Sequence, residues 1–466
     1  MMKKIFLITL IFFFILIFFT QINLIDHPVT DNDEGIYQTT FILLKNNFSA
    51  YKEVILSQPP GFILSVYPGF LLFGEALQAS RLTILLWTLL GLSAVVWMMK
   101  MLEAEWAGLL VISLLYLVPI FFNQTLILQS DMLVVVFSSI CLTAIIRYSK
   151  DFKVLWLVVA SIFLNFSFWI KYDISLIPGI LFAIGLFYYE KKLTSKQIYR
   201  VLAIFICISA IFFLFFIYPF GLNDVVKNTI GLRLKALSYF SVSPFLFLSY
   251  LKQDILLTLL VVIGISFSII NKDRLKFPAI MFLIWELTVI FFLIIYRPLF
   301  PHHLSLLALP ATIVFSYQMT KLLRHQKKIL VGISLILILV SVGYQVYRVI
   351  QTPDEILNPQ QKSALQIIFE NTKSGDYVIS DEAILNAFSG RLPPPTLADI
   401  SFVRVKTGDI SYVNFQKNLN IYKPKLIISF NGRLESMNQF KSTLSDYRLL
   451  TTIADTKRIY IRKDNK

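Results

Sequence analysis

Apolar stretches long enough to cross a lipid bilayer recur about eleven times in this chain, and they constrain its fold more than any other feature. Hydrophobic residues make up 56% of the sequence, which is more apolar surface than a water-soluble domain can bury. We therefore predict a multi-pass α-helical membrane protein. The predicted spans are residues 5–25, 79–99, 106–122, 131–147, 154–171, 174–189, 201–219, 255–270, 277–296, 304–320 and 329–346.

The basic residues predict the orientation of these spans. Lys3 and Lys4 precede the first span, and later clusters of lysine and arginine recur in alternate connections. All of them fall on one side, which the positive-inside rule makes cytoplasmic. The first span lacks a cleavage site of small residues, so we expect it to be retained. The later clusters are Arg147, Lys150 and Lys153; Lys191, Lys192, Lys196 and Arg200; Lys272, Arg274 and Lys276; and Lys321, Arg324, Lys327 and Lys328.

This orientation puts the N-terminus in the cytoplasm and, with an odd number of spans, the C-terminal region outside the plasma (inner) membrane. The outer connection 220–254 is an exception, because it also carries cations that can face an anionic ligand or lipid headgroups. The net charge of +15 fits cytoplasmic loops and membrane lipids, and we expect no nucleic-acid partner. Cys141 and Cys207 both lie in apolar runs, which argues against a disulfide framework.

The composition becomes far more polar after the last span, and we predict two domains: a membrane domain, 1–350, and a soluble extracytoplasmic domain, 351–466. Helical and strand patterns alternate in the second domain, which is typical of a small α/β fold. We expect helices at 359–372 and 434–444, buried strands at 377–380 and 426–430, and a hairpin formed by 448–453 and 458–461.

The first outer segment, 26–78, contains an acidic stretch, Asp31-Asn32-Asp33-Glu34-Gly35-Ile36-Tyr37. Carboxylates this close to hydrocarbon are costly unless water, a cavity or cations surround them. From spacing alone, a solvated loop that flanks the membrane is the favoured explanation of this stretch, and the polar residues at the same predicted face elsewhere in the chain shift the balance. Helical character follows it at 35–46, and an apolar helix too short to span is expected at 62–73, ending at Gly74.

Further polar residues map to the outer ends of other predicted spans. Each also has an ordinary explanation: Asp131 as a helix cap, Lys171 as a snorkelling side chain paired with Asp173, and Arg297 as an interfacial anchor. The adjacent histidines 302 and 303 do not have metal-ligand spacing and can lie at headgroup level. Their shared membrane face nevertheless predicts one outward-facing cavity. Carboxylates and cations together suit a reaction that deprotonates a hydroxyl while a phosphate leaves.

The order of these motifs resembles that of the GT-C glycosyltransferases, in the superfamily of the protein O-mannosyltransferases and the lipid A aminoarabinose transferase. The resemblance covers roughly residues 1–345. It rests on Asp33-Glu34-Gly35-Ile36-Tyr37, Gln58-Pro59-Pro60, Phe73-Gly74, Ala79-Ser80-Arg81-Leu82, Ser130-Asp131, Lys171, Pro301-His302-His303-Leu304 and Leu309-Pro310.

The resemblance implies an inverting transfer of a sugar from a polyprenyl-phosphate donor. Within the catalytic acidic pair Asp33 and Glu34, the first residue is the general base or orients the acceptor. The implied substrate-binding residues are Asp131 as a further acid of the pocket, Lys171 and Arg297 on the donor phosphate, His303 or His302 on phosphate or sugar, Tyr37 as support for the acidic loop, and Gln58.

The chain departs from this family at two positions. Many relatives have lysine where this chain has Gln58, so one phosphate-binding cation is missing. Relatives that bind a metal in this loop have glutamate where this chain has Ser57. The sequence therefore makes no cofactor certain and leaves a divalent metal, and its ligands, undetermined.

We therefore expect a membrane glycosyltransferase whose acceptor is a glycan, a lipid or a protein. The main alternative is a transporter or flippase of lipid-linked glycans. Transporters tend to place polar groups at the midplane, often within internal repeats, whereas here the polar residues share one face. A non-catalytic scaffold or sensor that presents the outer domain is a third class.

Overall fold

The computed structural model describes residues 2–172, 179, 195–242, 244–270, 277–454 and 456–463. Ten of the eleven predicted spans fall on helical segments: nine coincide with single helices, and 106–122 is divided between Glu105–Leu115 and Pro119–Gln124. The eleventh, 174–189, lies outside the described residues except for residue 179. The helices of the membrane domain are α1 (Met2–Ile22), α2 (Asn32–Lys45), α3 (Pro60–Phe73), α4 (Leu77–Met101), α5 (Glu105–Leu115), α6 (Pro119–Gln124), α7 (Ser130–Asp151), α8 (Val154–Ile170), α9 (Ser195–Ile217), α10 (Leu222–Val226), α11 (Leu232–Tyr239), α12 (Pro244–Gln253), α13 (Ile255–Ile270), α14 (Phe277–Ile295), α15 (Ser305–Leu322) and α16 (Lys327–Gln351).

Length and hydropathy identify six of these helices as able to cross a membrane: α1, α4, α7, α9, α14 and α16. A seventh candidate is a pair bent by 101°, Leu222–Tyr239 with Pro244–Gln253. The shorter apolar helices α3, α5, α8 and α13 do not meet the length criterion, and the prediction of eleven spans is not confirmed. The chain is nevertheless a multi-pass helical membrane protein, and α7, the most buried of the six, packs between α4 and α8.

Segment 26–78, here called the first outer segment after its predicted side, contains two helices that position the acidic stretch. Asp31 is the N-cap of α2, and its side chain accepts a hydrogen bond from the backbone N–H of Asp33 at 2.9 Å. Acidic residues in a first helical turn are favoured by the helix dipole. The apolar helix α3 ends at Gly74, whose φ of +112° is a left-handed conformation that glycine adopts without strain. Both helices were expected from the sequence.

The C-terminal region after α16, here called the outer domain after its predicted side, contains α17 (Pro359–Asn371), α18 (Ala383–Ser389), α19 (Phe402–Lys406) and α20 (Tyr412–Tyr422). Its strands form one sheet in the order β1-β2-β4-β3, in which β1 and β2 are parallel and the other neighbours antiparallel. This arrangement confirms the predicted buried strands and hairpin. The strands are β1 (Val378–Ser380), β2 (Leu426–Ser429), β3 (Tyr447–Ile453) and β4 (Lys457–Arg462).

The predicted helix at 434–444 is wrong, because this segment forms turns and only a short 3₁₀ helix, Phe440–Leu444. Its beginning is held by Asp381, whose carboxylate accepts four backbone N–H groups, from Phe430, Asn431, Arg433 and Leu434, at 2.6–3.2 Å. A continuous helix is interrupted within the segment at Gln439, whose φ of +61° lies in the left-handed region.

The two domains meet where α2 packs against α18. A Cβ atom at Gly35 would lie 2.5 Å from the backbone nitrogen of Ile384, so only glycine permits this approach. One turn later, the hydroxyl of Thr39 donates to the carbonyl of Ala383 at 2.8 Å. The glycine of the acidic motif thus brings the outer domain onto the helix that carries the carboxylates.

We expect Gly35→Ala to push α18 away from α2 and to lower the free energy of unfolding by about 1–3 kcal/mol, the usual cost of overpacking. Thermal unfolding in detergent, with protease cleavage of the 351–358 connection as a second readout, measures this effect. Gly375→Ala is the matched control, because a Cβ there meets no atom within 4 Å. Equal unfolding temperatures for the two variants would contradict the prediction.

Candidate active site

The acidic stretch at the start of α2 separates into three environments. Asp31 caps the helix, Asp33 is half-buried, and Glu34 is fully buried. Consecutive residues on a helix point about 100° apart, so neighbouring carboxylates do not share a face. The acidic pair of the sequence motif therefore comprises two side chains with different surroundings.

Glu34 forms a buried ion pair with Arg81 of α4. Its Oε1 accepts from Arg81 Nε at 2.9 Å and from the backbone N–H of Leu128 at 3.0 Å, and its Oε2 accepts from Arg81 Nη2 at 2.8 Å. Arg81 Nη1 donates to the carbonyls of Ile25 and His27, each at 2.8 Å. The Glu34–Arg81 pair thus connects α2 and α4 with the segment after α1 and with the segment before α7.

The carboxylate of Asp33 has no hydrogen-bond donor among the described residues. Burial, and then the nearby Asp31 carboxylate, raise the pKa of Asp33 to about 7. Burial acts on Asp31 in the same direction, but the hydrogen bond and charge of His302 outweigh it and lower the pKa of Asp31. The two carboxylates therefore titrate far apart, and Asp33 can take up a proton near neutral pH.

Asp131 and Lys171 form a second buried ion pair, between Asp131 Oδ1 and the Lys171 ammonium. Asp131 lies in the first turn of α7, and Lys171 follows the last residue of α8. The N-cap of α7 is Gln129, so Asp131 is not the cap that the sequence allowed. Lys171 is buried and does not extend to a surface, and its suggested partner Asp173 lies outside the described residues.

The two adjacent histidines have opposite protonation tendencies. His302 Nδ1 lies 3.2 Å from Asp31 Oδ2. Burial lowers the pKa of His302, but the hydrogen bond to Asp31 and the charges of three carboxylates, Asp131, Asp31 and Asp33, outweigh it and raise this pKa. Burial, followed by the charges of His302 and Lys171, holds the pKa of His303 well below its usual value. His302 is thus cationic more readily, and His303 is neutral.

These side chains line a polar cavity of about 290 Å³. It contains seven of the nine predicted site residues, whereas Glu34 and Arg297 do not line it. The lining residues are Thr30, Asp31, Asn32, Asp33, Ile36, Tyr37, Ser57, Gln58, Gln129, Ser130, Asp131, Lys171, Leu232, Arg233, Phe300, Pro301, His302, His303, Asp399, Ser401, Phe402, Val403 and Arg433.

An apolar cavity of about 440 Å³ adjoins the polar one, and Arg297 lines it. Four residues, Ser57, Gln58, Lys171 and Arg233, line both cavities and are here called the junction. The ring of Tyr296 lies beside both junction cations, with its centroid 5.6 Å from Lys171 Nζ and 5.6 Å from Arg233 Cζ. The other apolar-cavity residues are Pro59, Tyr172, Thr229, Ile230, Leu234, Leu237, Phe292, Ile295, Tyr296 and Arg297.

Tyr37 and Gln58 hold the wall beneath the polar cavity. The ring of Tyr37 packs on Phe62 with a centroid distance of 4.4 Å, which supports α2 against α3. The hydroxyl of Tyr51 donates to the carbonyl of Gln58 at 2.7 Å and fixes the backbone at the start of α3. The side chain of Gln58 is therefore presented at the junction without a charge.

Three charged residues of this site were missed by sequence reasoning: Arg233, Asp399 and Arg433. Arg233 lies in the outer connection whose cations break the orientation rule, and that exception was the available signal. Asp399 and Arg433 belong to the outer domain, and no motif marked them. They reach the cavity because the contact of α2 with α18 brings the outer domain over it.

Asp131, His302 and His303 also present three donor atoms within 4.8 Å of one another, which suggests a metal site. The hydrogen bonds of His303 disagree with that role. Its Nδ1 accepts the backbone N–H of Phe300 at 2.9 Å, so the proton of the neutral ring is on Nε2, the nitrogen that faces Asp131. Since a metal ligand needs an unprotonated nitrogen, these residues do not fit a metal ion in this arrangement.

The fold combines a helical membrane domain, which carries the acidic helix α2, with a small C-terminal α/β domain that covers the polar cavity. Residues 57–217 match the family model of dolichyl-phosphate-mannose-protein mannosyltransferases. This match and the structural comparisons confirm the resemblance indicated by the motifs. No curated protein matches the chain significantly.

Two of the similar solved structures are of ArnT from Cupriavidus metallidurans. The chain matches its apo state with a TM-score of 0.65 and 14% identity, over 98% of this chain and 97% of ArnT. It matches the form bound to undecaprenyl phosphate with a TM-score of 0.67 and 14% identity, over 97% of both chains. An oligosaccharyltransferase from Archaeoglobus fulgidus, in complex with Zn and sulfate, matches with a TM-score of 0.59 and 12% identity, over 96% of this chain and 73% of that one.

Proposed function

We propose that this chain is a membrane glycosyltransferase that moves a sugar from a polyprenyl-phosphate donor to an acceptor hydroxyl, at the outer face of the membrane and with inversion. The observation that carries the proposal is the junction, where two cations lie between an apolar and a polar cavity. A lipid-linked sugar has the same order of chemistry: a hydrocarbon tail, then a phosphate, then a polar sugar. Undecaprenyl phosphate, the lipid bound to ArnT, has this tail and phosphate.

Each part of the donor has a matching part of the site. The prenyl tail enters the apolar cavity, the phosphate lies at Lys171 and Arg233, and the sugar enters the polar cavity. Arg233 supplies the second cation that Gln58 cannot supply. Cations held away from bulk water interact more strongly with a leaving phosphate than exposed ones do. Arg297, which lines the apolar cavity only, is proposed to contact the donor phosphate as the lipid enters.

Asp33 is proposed as the general base. The acceptor O–H gives its proton to the Asp33 carboxylate as the acceptor oxygen attacks the anomeric carbon. The bond from that carbon to the phosphate oxygen breaks, and the phosphate leaves with the bonding electrons, stabilised by Lys171 and Arg233. A single displacement of this kind inverts the anomeric carbon. A carboxylate with a pKa of about 7 and no donor of its own suits this role.

The remaining polar residues are proposed to position or bind. Asp131 holds the Lys171 ammonium at the junction through their ion pair. The Nε2–H of His303 and the cationic His302 face the Asp131 side of the cavity and donate to sugar hydroxyls or to phosphate oxygens. Glu34 is proposed to position α2 and not to take part in proton transfer, because it lies outside the cavity.

Removal of a junction cation tests the donor site. We expect Lys171→Gln and Arg233→Gln each to weaken binding of undecaprenyl phosphate by about 10–100-fold, the range of a charged hydrogen bond. Binding to the purified chain in nanodiscs is measured by titration calorimetry. Lys52→Gln, an exposed lysine of the same outer segment, is the control. Lys171→Gln leaves Asp131 buried without its partner and can therefore also affect folding. The Arg233→Gln variant is the decisive one, because unchanged affinity of this variant for undecaprenyl phosphate would show that the junction does not bind the donor.

The activity itself is tested with undecaprenyl-phosphate-linked sugars in membrane vesicles. A transferase releases undecaprenyl phosphate when an acceptor-containing membrane extract is present. A flippase moves the lipid between leaflets and leaves the sugar attached. Release that depends on the chain supports the proposal, and transbilayer movement without cleavage supports the alternative function.

A further inference from the structure

The outer wall of the polar cavity is built by the C-terminal domain, from Asp399, Ser401, Phe402, Val403 and Arg433. We propose that Asp399, Phe402 and Arg433 form the acceptor subsite and that they bind an uncharged saccharide. This inference rests on the proposed glycosyl transfer and assigns its acceptor class. We call these three residues the outer subsite.

Asp399 is buried, and one carboxylate oxygen is already used. Its Oδ1 accepts the backbone N–H of Ser401 at 2.8 Å, which fixes the direction of the side chain. Its Oδ2 receives no hydrogen bond from the described residues. One oxygen of this buried carboxylate is held by a backbone N–H, and the other can accept a hydrogen bond from a ligand hydroxyl in a fixed direction.

Arg433 is positioned from behind by Asp381. The carboxylate of Asp381 accepts the backbone N–H groups of Arg433 and of three neighbours, and Arg433 Nη1 donates to the Asp381 carbonyl at 3.0 Å. The Nε and Nη2 groups of Arg433 have no hydrogen-bond partner among the described residues. The guanidinium therefore enters the cavity on a fixed loop with donors available.

Phe402 places an apolar ring at the edge of this polar wall, and 47% of its surface is exposed. The ring packs edge-to-face against Phe240, with centroids 5.9 Å apart, and Lys406 Nζ lies 5.3 Å from its centroid, so its remaining exposed part is available to a ligand. The helix that carries Phe402, α19, is held by the buried Arg404, which donates to Asp409 Oδ2 at 2.7 Å and to the carbonyl of Thr396 at 3.1 Å. The ring is therefore presented on a rigid support. An exposed aromatic ring beside a carboxylate and a guanidinium matches a sugar, which has hydroxyls at its rim and C–H groups on its face.

The charges of the cavity favour an uncharged acceptor. Asp131 neutralises Lys171, and Asp31 pairs with His302. Once a donor phosphate occupies the junction, the Asp33 and Asp399 carboxylates outweigh the remaining cation, Arg433. An anionic acceptor would then be repelled close to the base.

The shape of the site disfavours a peptide acceptor. Adding a strand to an exposed sheet edge is one common way in which an extended peptide is bound through its main chain. None of the residues that line the polar cavity belongs to one of the strands in the described part of the chain. A saccharide needs only the directed polar groups and the ring, and all three are present in the outer subsite.

The test uses the full-length chain in nanodiscs containing undecaprenyl phosphate, applied to a printed array of neutral glycans, anionic glycans and Ser/Thr peptides. We expect the parent chain to bind neutral glycans. We expect Asp399→Asn, Arg433→Lys and Phe402→Leu each to weaken that binding by about tenfold or more, as for loss of one directed hydrogen bond or contact. Asp354→Asn and Arg448→Gln are controls, because both residues are exposed in the outer domain.

The affinity for undecaprenyl phosphate is measured on the same samples, so that a failure of the outer subsite can be distinguished from a failure of the donor site. Glycan binding that falls while lipid affinity is retained supports the outer subsite. Binding of the parent only to peptides or to anionic glycans, no array binding, or undiminished glycan binding by all three variants would overturn it and leave the donor site intact. Asp399→Asn keeps the acceptor for Ser401, so it is the variant chosen to preserve the fold. Absence of lipid binding by the parent would instead overturn the proposed function.

Discussion

Asp33→Asn will lower the rate of sugar transfer by about 10²–10⁴-fold, the range that a general base contributes, and will leave the affinity for undecaprenyl phosphate nearly unchanged. The reason is geometric: Asp33 lines the polar cavity but not the junction, where the donor phosphate is proposed to bind. Asparagine keeps the size of the side chain and cannot accept the proton. Single-turnover transfer from a radiolabelled undecaprenyl-phosphate sugar measures the effect.

The pH dependence identifies the group that acts. Since the pKa of Asp33 is raised to about 7, its basic form is populated above that pH, and we expect the parent rate to rise with pH through about 7. Asp33→Glu should keep a rising limb at reduced rate, whereas Asp33→Asn should lose it. Parent-like transfer by a well-folded Asp33→Asn variant would exclude Asp33 as the base.

The same raised pKa has a consequence for stability. Between about pH 4 and 7 the folded chain holds a proton on Asp33 that the unfolded chain has lost, so this group destabilises the fold progressively as pH rises. We therefore expect Asp33→Asn to raise the unfolding temperature more at pH 8 than at pH 5. A gain in stability together with a loss of turnover is typical of a residue kept for chemistry.

The second large effect concerns the neighbouring residue. Glu34→Ala will lower the free energy of unfolding by about 3–5 kcal/mol, because Arg81 is then buried without its counter-charge. The amide of Leu128 also loses its acceptor. Chemical unfolding of the purified variant in detergent, or its yield in the membrane when it does not fold, measures the loss.

A double variant separates structure from catalysis at this position. Glu34→Gln with Arg81→Met removes both charges and keeps an acceptor for the amide of Leu128, and we expect it to recover part of the lost stability and of the transfer activity. If Glu34→Ala were as stable as the parent but inactive, Glu34 would be catalytic, as its place in the sequence motif implies, and the positioning role would be excluded.

Asp33 and Glu34 show which features of the site could be predicted from the sequence and which could not. Apolar periodicity located ten spans that fall on helical segments, and charge placed the polar residues at one predicted face. The motif marked Asp33 and Glu34 as a pair, yet it did not separate their roles. That separation depends on the partner each side chain meets, and Arg81 lies 47 residues away from Glu34 along the chain.

The rest of the site depends on long-range packing. Asp399 and Arg433 reach the cavity because Gly35 lets α2 approach α18, and Asp381 fixes the loop that carries Arg433. No local pattern records such contacts. The segment 434–444 has helical periodicity, but the chain adopts a left-handed conformation at Gln439, where φ is +61°, and only a short 3₁₀ helix follows. For Asp399 and Arg433, tertiary contacts supplied what the local pattern could not.

Donor binding at the junction is tested most directly by an electron cryo-microscopy map of the chain in nanodiscs containing undecaprenyl phosphate. We expect phosphate density in contact with Lys171 and Arg233, the prenyl tail in the apolar cavity, and Asp33 facing the phosphate across the polar cavity. Phosphate density away from both cations, or on the side of Lys3 and Lys4, would contradict donor binding at the junction.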